Sequence, residues 1–152
     1  MRGPNGEDLP DAILFACSQN AVRSPMAEGI MQLLYGRHVY VDSVGVRAGQ
    51  VDPFVIAVMD ELGIDLTKHK PRSFDELEDT SFDLIVSLTP QAQHSAVDLT
   101  RTMAADVEYW PTHDPTLAEG SREQRLNAYR EVRDALMARI KERFGWRPTP
   151  SG

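Results

Sequence analysis

Strand and helix signals alternate along this chain, which predicts an α/β domain: a doubly wound, four-stranded parallel sheet with helices on both faces. Two further observations agree. Leu84-Ile85-Val86-Ser87-Leu88 is a continuous apolar run, the pattern of a strand covered on both sides. The segments between strands carry apolar residues at helical spacing, with start and stop residues at their ends.

The elements follow in order. The first strand is Ala12 to Ala16. The helix after it has Met26, Ile30, Leu33 and Leu34 on one face, and Gly36 can end it. The second strand runs from Val39 to Val44. Asp52-Pro53 then opens a helix bearing Val55, Val58, Met59 and Leu62, stopped by Gly63. Asp75 to Glu78 reads as a short solvated turn. After the apolar third strand, Thr89-Pro90 opens a helix with Ala92, Ala96, Val97 and Leu99. The fourth strand is Val107 to Trp110. Ser121 with Gln124 makes a capping box for a long last helix. That helix buries Leu126, Tyr129, Val132, Leu136, Ile140 and Phe144, and Gly145 with Pro148 ends it. Residues 1–10 read as a flexible lead-in, 11–146 as one domain, and 147–152 as a flexible tail.

Composition narrows the function. The chain has 152 residues, 41% hydrophobic and 26% charged, ordinary for a soluble globular domain. Its net charge of −7 argues against nucleic acid or an anionic membrane as a partner. A single cysteine excludes an internal disulfide and a Cys-rich metal site, and a free thiol suits a reducing compartment. With no apolar leader and no segment of transmembrane length, the expected location is the cytoplasm. His38, His94 and His113 show no metal-ligand spacing, so neither metal nor cofactor is expected.

The chemistry concentrates in Cys17-Ser18-Gln19-Asn20-Ala21-Val22-Arg23-Ser24-Pro25. The residues between Cys17 and Arg23 can curl so that successive backbone N–H groups face one concavity, an anion nest. Ser24 suits an N-cap and Pro25 a first helical residue, so a helix N-terminus would face the same place. Arg23 can grip two oxygens of a phosphate through its planar fork. This positive surrounding favours the thiolate of Cys17, the reactive form of a sulfur nucleophile.

With these residues the sequence resembles the low-molecular-weight protein tyrosine phosphatases, a family that includes thiol-dependent arsenate reductases and arginine phosphatases. The matching residues are Cys17, Asn20, Arg23, Ser24, Pro25, Met26, Ala27 and Glu28, then Asp42-Ser43, Gly63-Ile64, His69, Arg72 and Asp114-Pro115. The resemblance implies sheet order 2-1-3-4. It implies Cys17, Arg23 and Asp114 as catalytic residues, Asp114 being first the acid for the leaving oxygen and then the base for water. Ser18, Gln19, Asn20, Ala21, Val22 and Ser24 would line the phosphate site, with Ser43 and His69 tied to Asn20 from neighbouring loops. The Ser24 hydroxyl then has two competing jobs, N-cap and donor to the Cys17 sulfur, and the resemblance favours the second. Arg72 could line the rim or be solvated.

Some positions depart from the family. The loop after the second strand, Val46 to Gln50, lacks an aromatic wall, and Thr116-Leu117 stand where the other wall belongs. Gln19 replaces the usual loop glycine, Val22 a frequent second cysteine, and Ala21 a larger or hydroxylated residue. The expected activity is phosphate monoester hydrolysis through a phosphocysteine intermediate. Its partners would be a phosphorylated protein or small phosphate ester, with inorganic phosphate or a similar oxyanion in the loop. The alternatives are an arsenate reductase that depends on an external thiol, and a catalytically weak phosphate- or phosphopeptide-binding module.

Overall fold

The computed structural model describes residues 9–78 and 81–146. Four strands, β1 (Ala12–Cys17), β2 (Tyr40–Gly45), β3 (Leu84–Ser87) and β4 (Asp106–Tyr109), form one parallel sheet in the order β2-β1-β3-β4. The helices are α1 (Arg23–Tyr35), α2 (Pro53–Asp60), α3 (Pro90–Leu99) and α4 (Arg122–Phe144). Among the described residues, no helix is long and apolar enough to cross a membrane.

β1 is buried along its whole length because both of its faces are covered. Its alternate residues feed two cores, as the two-residue period of a strand requires. Ile13, Phe15 and Cys17 pack with α1, α2 and α4, while Leu14 and Ala16 pack with Ile85 and with Ala92 and Ala96 of α3. The doubly wound arrangement thus rests on a central strand that is apolar on both sides.

The helix ends follow local chemistry. Asp52 accepts from the Phe54 N–H at the start of α2, and Thr89 accepts from the Ala92 N–H at the start of α3. Ser121 and Gln124 form the reciprocal capping box of α4, and Gly145 closes that helix in the left-handed conformation at φ 67°. All six apolar residues expected on the inner face of α4 are buried, together with Arg133, whose guanidinium reaches the Val58 carbonyl and Glu61.

Three expectations need correction. Leu33 and Val97 are 54% and 50% exposed; α1 turns Met31 and Tyr35 inward instead, and α3 is held by its small residues Ala92 and Ala96. Ser24 is not an N-cap and Pro25 is not the first helical residue: α1 begins at Arg23, with Val22 in the cap position and no side-chain cap. Leu9, placed in the lead-in, is core at 2% exposure. The rest of the two terminal segments, 1–8 and 147–152, lies outside the described residues.

Replacing Ser121 by Ala removes one half of the capping box and is expected to cost about 1 kcal/mol. Urea unfolding at unchanged m-value checks it; a loss under ~0.3 kcal/mol would show that α4 is held by packing alone.

Candidate active site

Cys17 ends β1 at the carboxyl edge of the sheet, and Arg23 starts α1. The segment between them curls into one wall of a cleft of about 270 Å³, whose opposite wall is Gln91 of α3 with Asp114 and Thr116 of the loop after β4. Ligands of open parallel sheets bind at this edge, where neighbouring crossovers leave on opposite faces. A larger cavity of about 390 Å³ lies between Trp110–His113 and α4, but neither Cys17 nor Asp114 lines it, so size does not mark the chemistry here.

The curl depends on Asn20, the one non-glycine residue with positive φ (53°) among the described residues. Its side chain is fully buried and fully used. Nδ2 donates to Ser24 Oγ and Ser43 Oγ, each at 2.8 Å, and Oδ1 accepts from the Arg72 N–H at 2.9 Å. Its backbone N–H points at Cys17 Sγ (3.3 Å), and its carbonyl meets His69 Nε2 (3.0 Å). Asn tolerates the left-handed conformation better than most residues, and these bonds offset the remaining cost. The loop after β2 backs the curl: Val46, Arg47 and Gly49 donate to the carbonyls of Cys17, Ser18 and Gln19. Gly45 permits this approach, since a Cβ there would lie 2.6 Å from the Asn20 nitrogen.

The sulfur sits among donors. Ser24 Oγ lies 2.9 Å from Cys17 Sγ. Because Ser24 Oγ accepts from Asn20, its own proton is free to point to the sulfur or to the Val44 carbonyl at 3.3 Å. Of the two jobs open to this hydroxyl, the structure does not use the first: no side chain caps α1, and Ser24 Oγ lies beside the sulfur instead. Cys17 itself is 2% exposed, so the sulfur is reached only through the cleft.

Arg23 and Asp114 meet across the cleft. Arg23 Nη1 donates to the Thr112 carbonyl (3.0 Å), and Nη2 lies 3.9 Å from Asp114 Oδ2. Asp114 Oδ1 accepts from the N–H and hydroxyl of Thr116, capping the short turn Pro115–Leu117. One carboxylate oxygen thus fixes the turn and leaves the other toward the cleft.

Behind the loop, Ser43 donates to Glu28, and Arg72 pairs with Asp42. Burial pushes the Glu28 carboxyl up to about 7; the Ser43 bond opposes this, Asp42 adds to it and Arg72 opposes it. Burial also holds the His69 imidazole below its ordinary range, so the neutral ring donates its Nε2–H to the Asn20 carbonyl. Arg72 neither lines the rim nor stands alone in solvent: its N–H holds Asn20 and its guanidinium holds Asp42.

Cys17, Ser18, Gln19, Ala21, Val22, Arg23 and Asp114 all line the cleft, while Asn20, Ser24, Ser43 and His69 hold it from behind. Ser18 Oγ also reaches Thr89 Oγ1 (3.3 Å) and Gln91 Oε1 (3.4 Å). Sequence reasoning missed Gln91, gave Glu28 no role, and named Thr116 only as standing in place of an aromatic wall. Gln91 follows the Thr89-Pro90 helix start directly, so its place at the carboxyl edge was available from topology. Glu28 had one signal, its place in the string that matches the family.

Two outcomes follow. Asn20→Ala should destabilise the fold by about 2 kcal/mol, since buried partners lose their bonds and φ becomes strained. Asn20→Gly should recover only the backbone part; equal stability of both variants in urea would rule out the strain. Separately, Glu28 binds a proton more tightly in the folded than in the unfolded protein. Its contribution to stability is therefore present below the unfolded value of 4.5 and is lost as pH rises through about 7. Stability of wild type should fall over that window relative to Glu28→Gln.

Comparison with known proteins agrees with this geometry. The family model described as low molecular weight phosphotyrosine protein phosphatase matches residues 12–144. An arsenate reductase of Halalkalibacterium halodurans is 34% identical over 131 residues, covering 85% of this chain and 91% of that one. Among solved structures, a YwlE mutant from Bacillus subtilis aligns at TM-score 0.71 and 25% identity, covering 86% of this chain and 94% of that one. An arsenate reductase in the phosphate-binding state aligns at TM-score 0.68 and 27% identity, covering 87% and 95%. The chain belongs to the low-molecular-weight protein tyrosine phosphatase family.

Proposed function

We propose that this protein hydrolyses phosphate monoesters through a phosphocysteine intermediate. The observation that carries the reading is the convergence of Cys17, Arg23 and Asp114 on one cleft at the carboxyl edge of the sheet. The Cys17 thiolate attacks phosphorus, the ester P–O bond breaks, and Asp114 gives its proton to the leaving oxygen. Arg23 balances the charge on the equatorial oxygens. Water then attacks the phosphocysteine, Asp114 takes a proton from it, and the sulfur leaves as a thiolate stabilised by the Ser24 hydroxyl. A free thiol nucleophile calls for a reducing compartment such as the cytoplasm.

The rim suggests broad substrate choice. Among the described residues, no aromatic ring lines the cleft; its mouth is Gln19, Gln91 and Thr116. Tyr109 and Trp110 do not rebuild a wall: Trp110 is buried against Phe15 and Tyr109 lies outside the cleft lining. Small esters and phosphoproteins would both reach the sulfur, and inorganic phosphate would compete with them.

A second reading, arsenate reduction, is favoured by the relatives named arsenate reductase. With one cysteine in the chain, the electrons would have to come from an external thiol. Turnover of p-nitrophenyl phosphate, set beside thiol consumption with arsenate, separates the two.

Cys17→Ser is expected to abolish aryl phosphate turnover while vanadate still binds, because the loop and Arg23 supply the affinity. Activity within tenfold of wild type would sink the cysteine mechanism. Asp114→Asn should slow alkyl phosphates by about 10²-fold or more and p-nitrophenyl phosphate by less, since nitrophenolate departs with little help. Equal slowing of both would remove Asp114 from the acid role and leave it as the cap of its turn.

A further inference from the structure

Five side chains join into one buried line: Glu28, Ser43, Asn20, Ser24 and Cys17. Every link but the last has a defined direction; between Ser24 and Cys17 either atom can donate. Ser43 donates to Glu28, so the Ser43 oxygen is left to accept from Asn20 Nδ2. The second proton of Nδ2 goes to Ser24 Oγ, and the Ser24 proton is then left for the Cys17 sulfur or, at 3.3 Å, the Val44 carbonyl. Asn20, Ser24 and Ser43 are at most 1% exposed, so water has no ready access to interrupt the line. At its far end stands a carboxylate that can change its proton count near neutral pH.

We infer that Glu28 is a positioning residue: its ionised carboxylate orients the hydrogen bonds of Ser43, Asn20 and Ser24 so that the last proton points at the Cys17 sulfur. When Glu28 is protonated, the oxygen facing Ser43 becomes a weaker acceptor. The Ser43 proton is held less firmly, and Asn20 loses part of its fixed orientation. Ser24 can then turn its proton to the Val44 carbonyl, and the thiolate loses a donor.

The surroundings suit a group that titrates in the working range. Glu28 is partly buried on α1 and faces Asp42 and Ser43 of β2 and Arg72 on the segment that follows α2, where His69 meets the Asn20 carbonyl instead. Asp42 is already paired with Arg72, which leaves Glu28 without a full countercharge. Gln32 Nε2, one turn on, contributes only a 3.4 Å contact. Burial and Asp42 together bring the carboxyl to about 7.

This inference rests on Cys17 as the nucleophile, yet its test does not need turnover. Cys17 is the only cysteine, so the rate of alkylation by iodoacetamide against pH reads this sulfur alone. Wild type should show an inflection near 7 from Glu28. Glu28→Gln and Ser43→Ala should each lose the inflection near 7. No inflection near 7 in wild type overturns the inference. An inflection near 7 that survives Glu28→Gln assigns it to another group, His69 foremost, and also overturns it. Loss in Glu28→Gln but not in Ser43→Ala would mean that charge acts through space and the hydrogen-bonded line carries nothing. Absent phosphatase activity with the expected alkylation profiles would count against the proposed reaction and leave this inference standing.

Discussion

A single left-handed residue governs the site. Asn20 must adopt φ 53° for the chain to turn back between Cys17 and Arg23, and it must be buried for the turn to close against β2. A buried amide is costly unless each of its donors and acceptors is met. Ser24, Ser43 and the Arg72 N–H meet them, and each comes from a different part of the chain. The start of α1, the end of β2 and the segment after α2 are therefore tied to one side chain. The sheet provides the rigid base for this, since β1 is apolar on both faces and cannot move without opening two cores.

Stability and reactivity pull in opposite directions around that residue. Burying Glu28 disfavours its charge, yet the charged form gives Ser43 its acceptor. A neutral glutamine at the same place would relieve the desolvation and blur the orientation of the hydrogen bonds. Functional sites commonly hold local arrangements of this kind against the stability of the fold around them. The same tension appears at Asp114, whose one oxygen caps a turn while the other faces Arg23.

What could be read from the sequence was local or strongly periodic. The capping box of Ser121 and Gln124, the Asp52-Pro53 and Thr89-Pro90 helix starts and the apolar β3 depend on neighbours a few residues away, and the structure has each of them. Cys17 and Arg23 stood out by residue type and spacing, Asp114 came with the family resemblance, and all three line one cleft. Helix phase was harder: Leu33 and Val97 are as apolar as their buried neighbours, and only the packing of α1 and α3 decides which residues face inward. Ser24 could cap or donate to sulfur, and the choice depends on Asn20 reaching it first. Glu28 stood in the matching string with no role attached, because its environment is made by Asp42, Ser43 and Arg72, distant in sequence.

The solitary sulfur at the floor of the cleft has one more consequence. If Cys17 attacks phosphorus as proposed, the same sulfur would also be open to peroxide, which converts a thiolate to a sulfenic acid. In many proteins a second cysteine captures that species as a disulfide, but this chain offers none. An oxidised Cys17 can return to the thiol only through a reductant from solution, or it passes on to the irreversible acids. The enzyme's working fraction would then follow the thiol supply around it, as a gauge follows the pressure of its vessel.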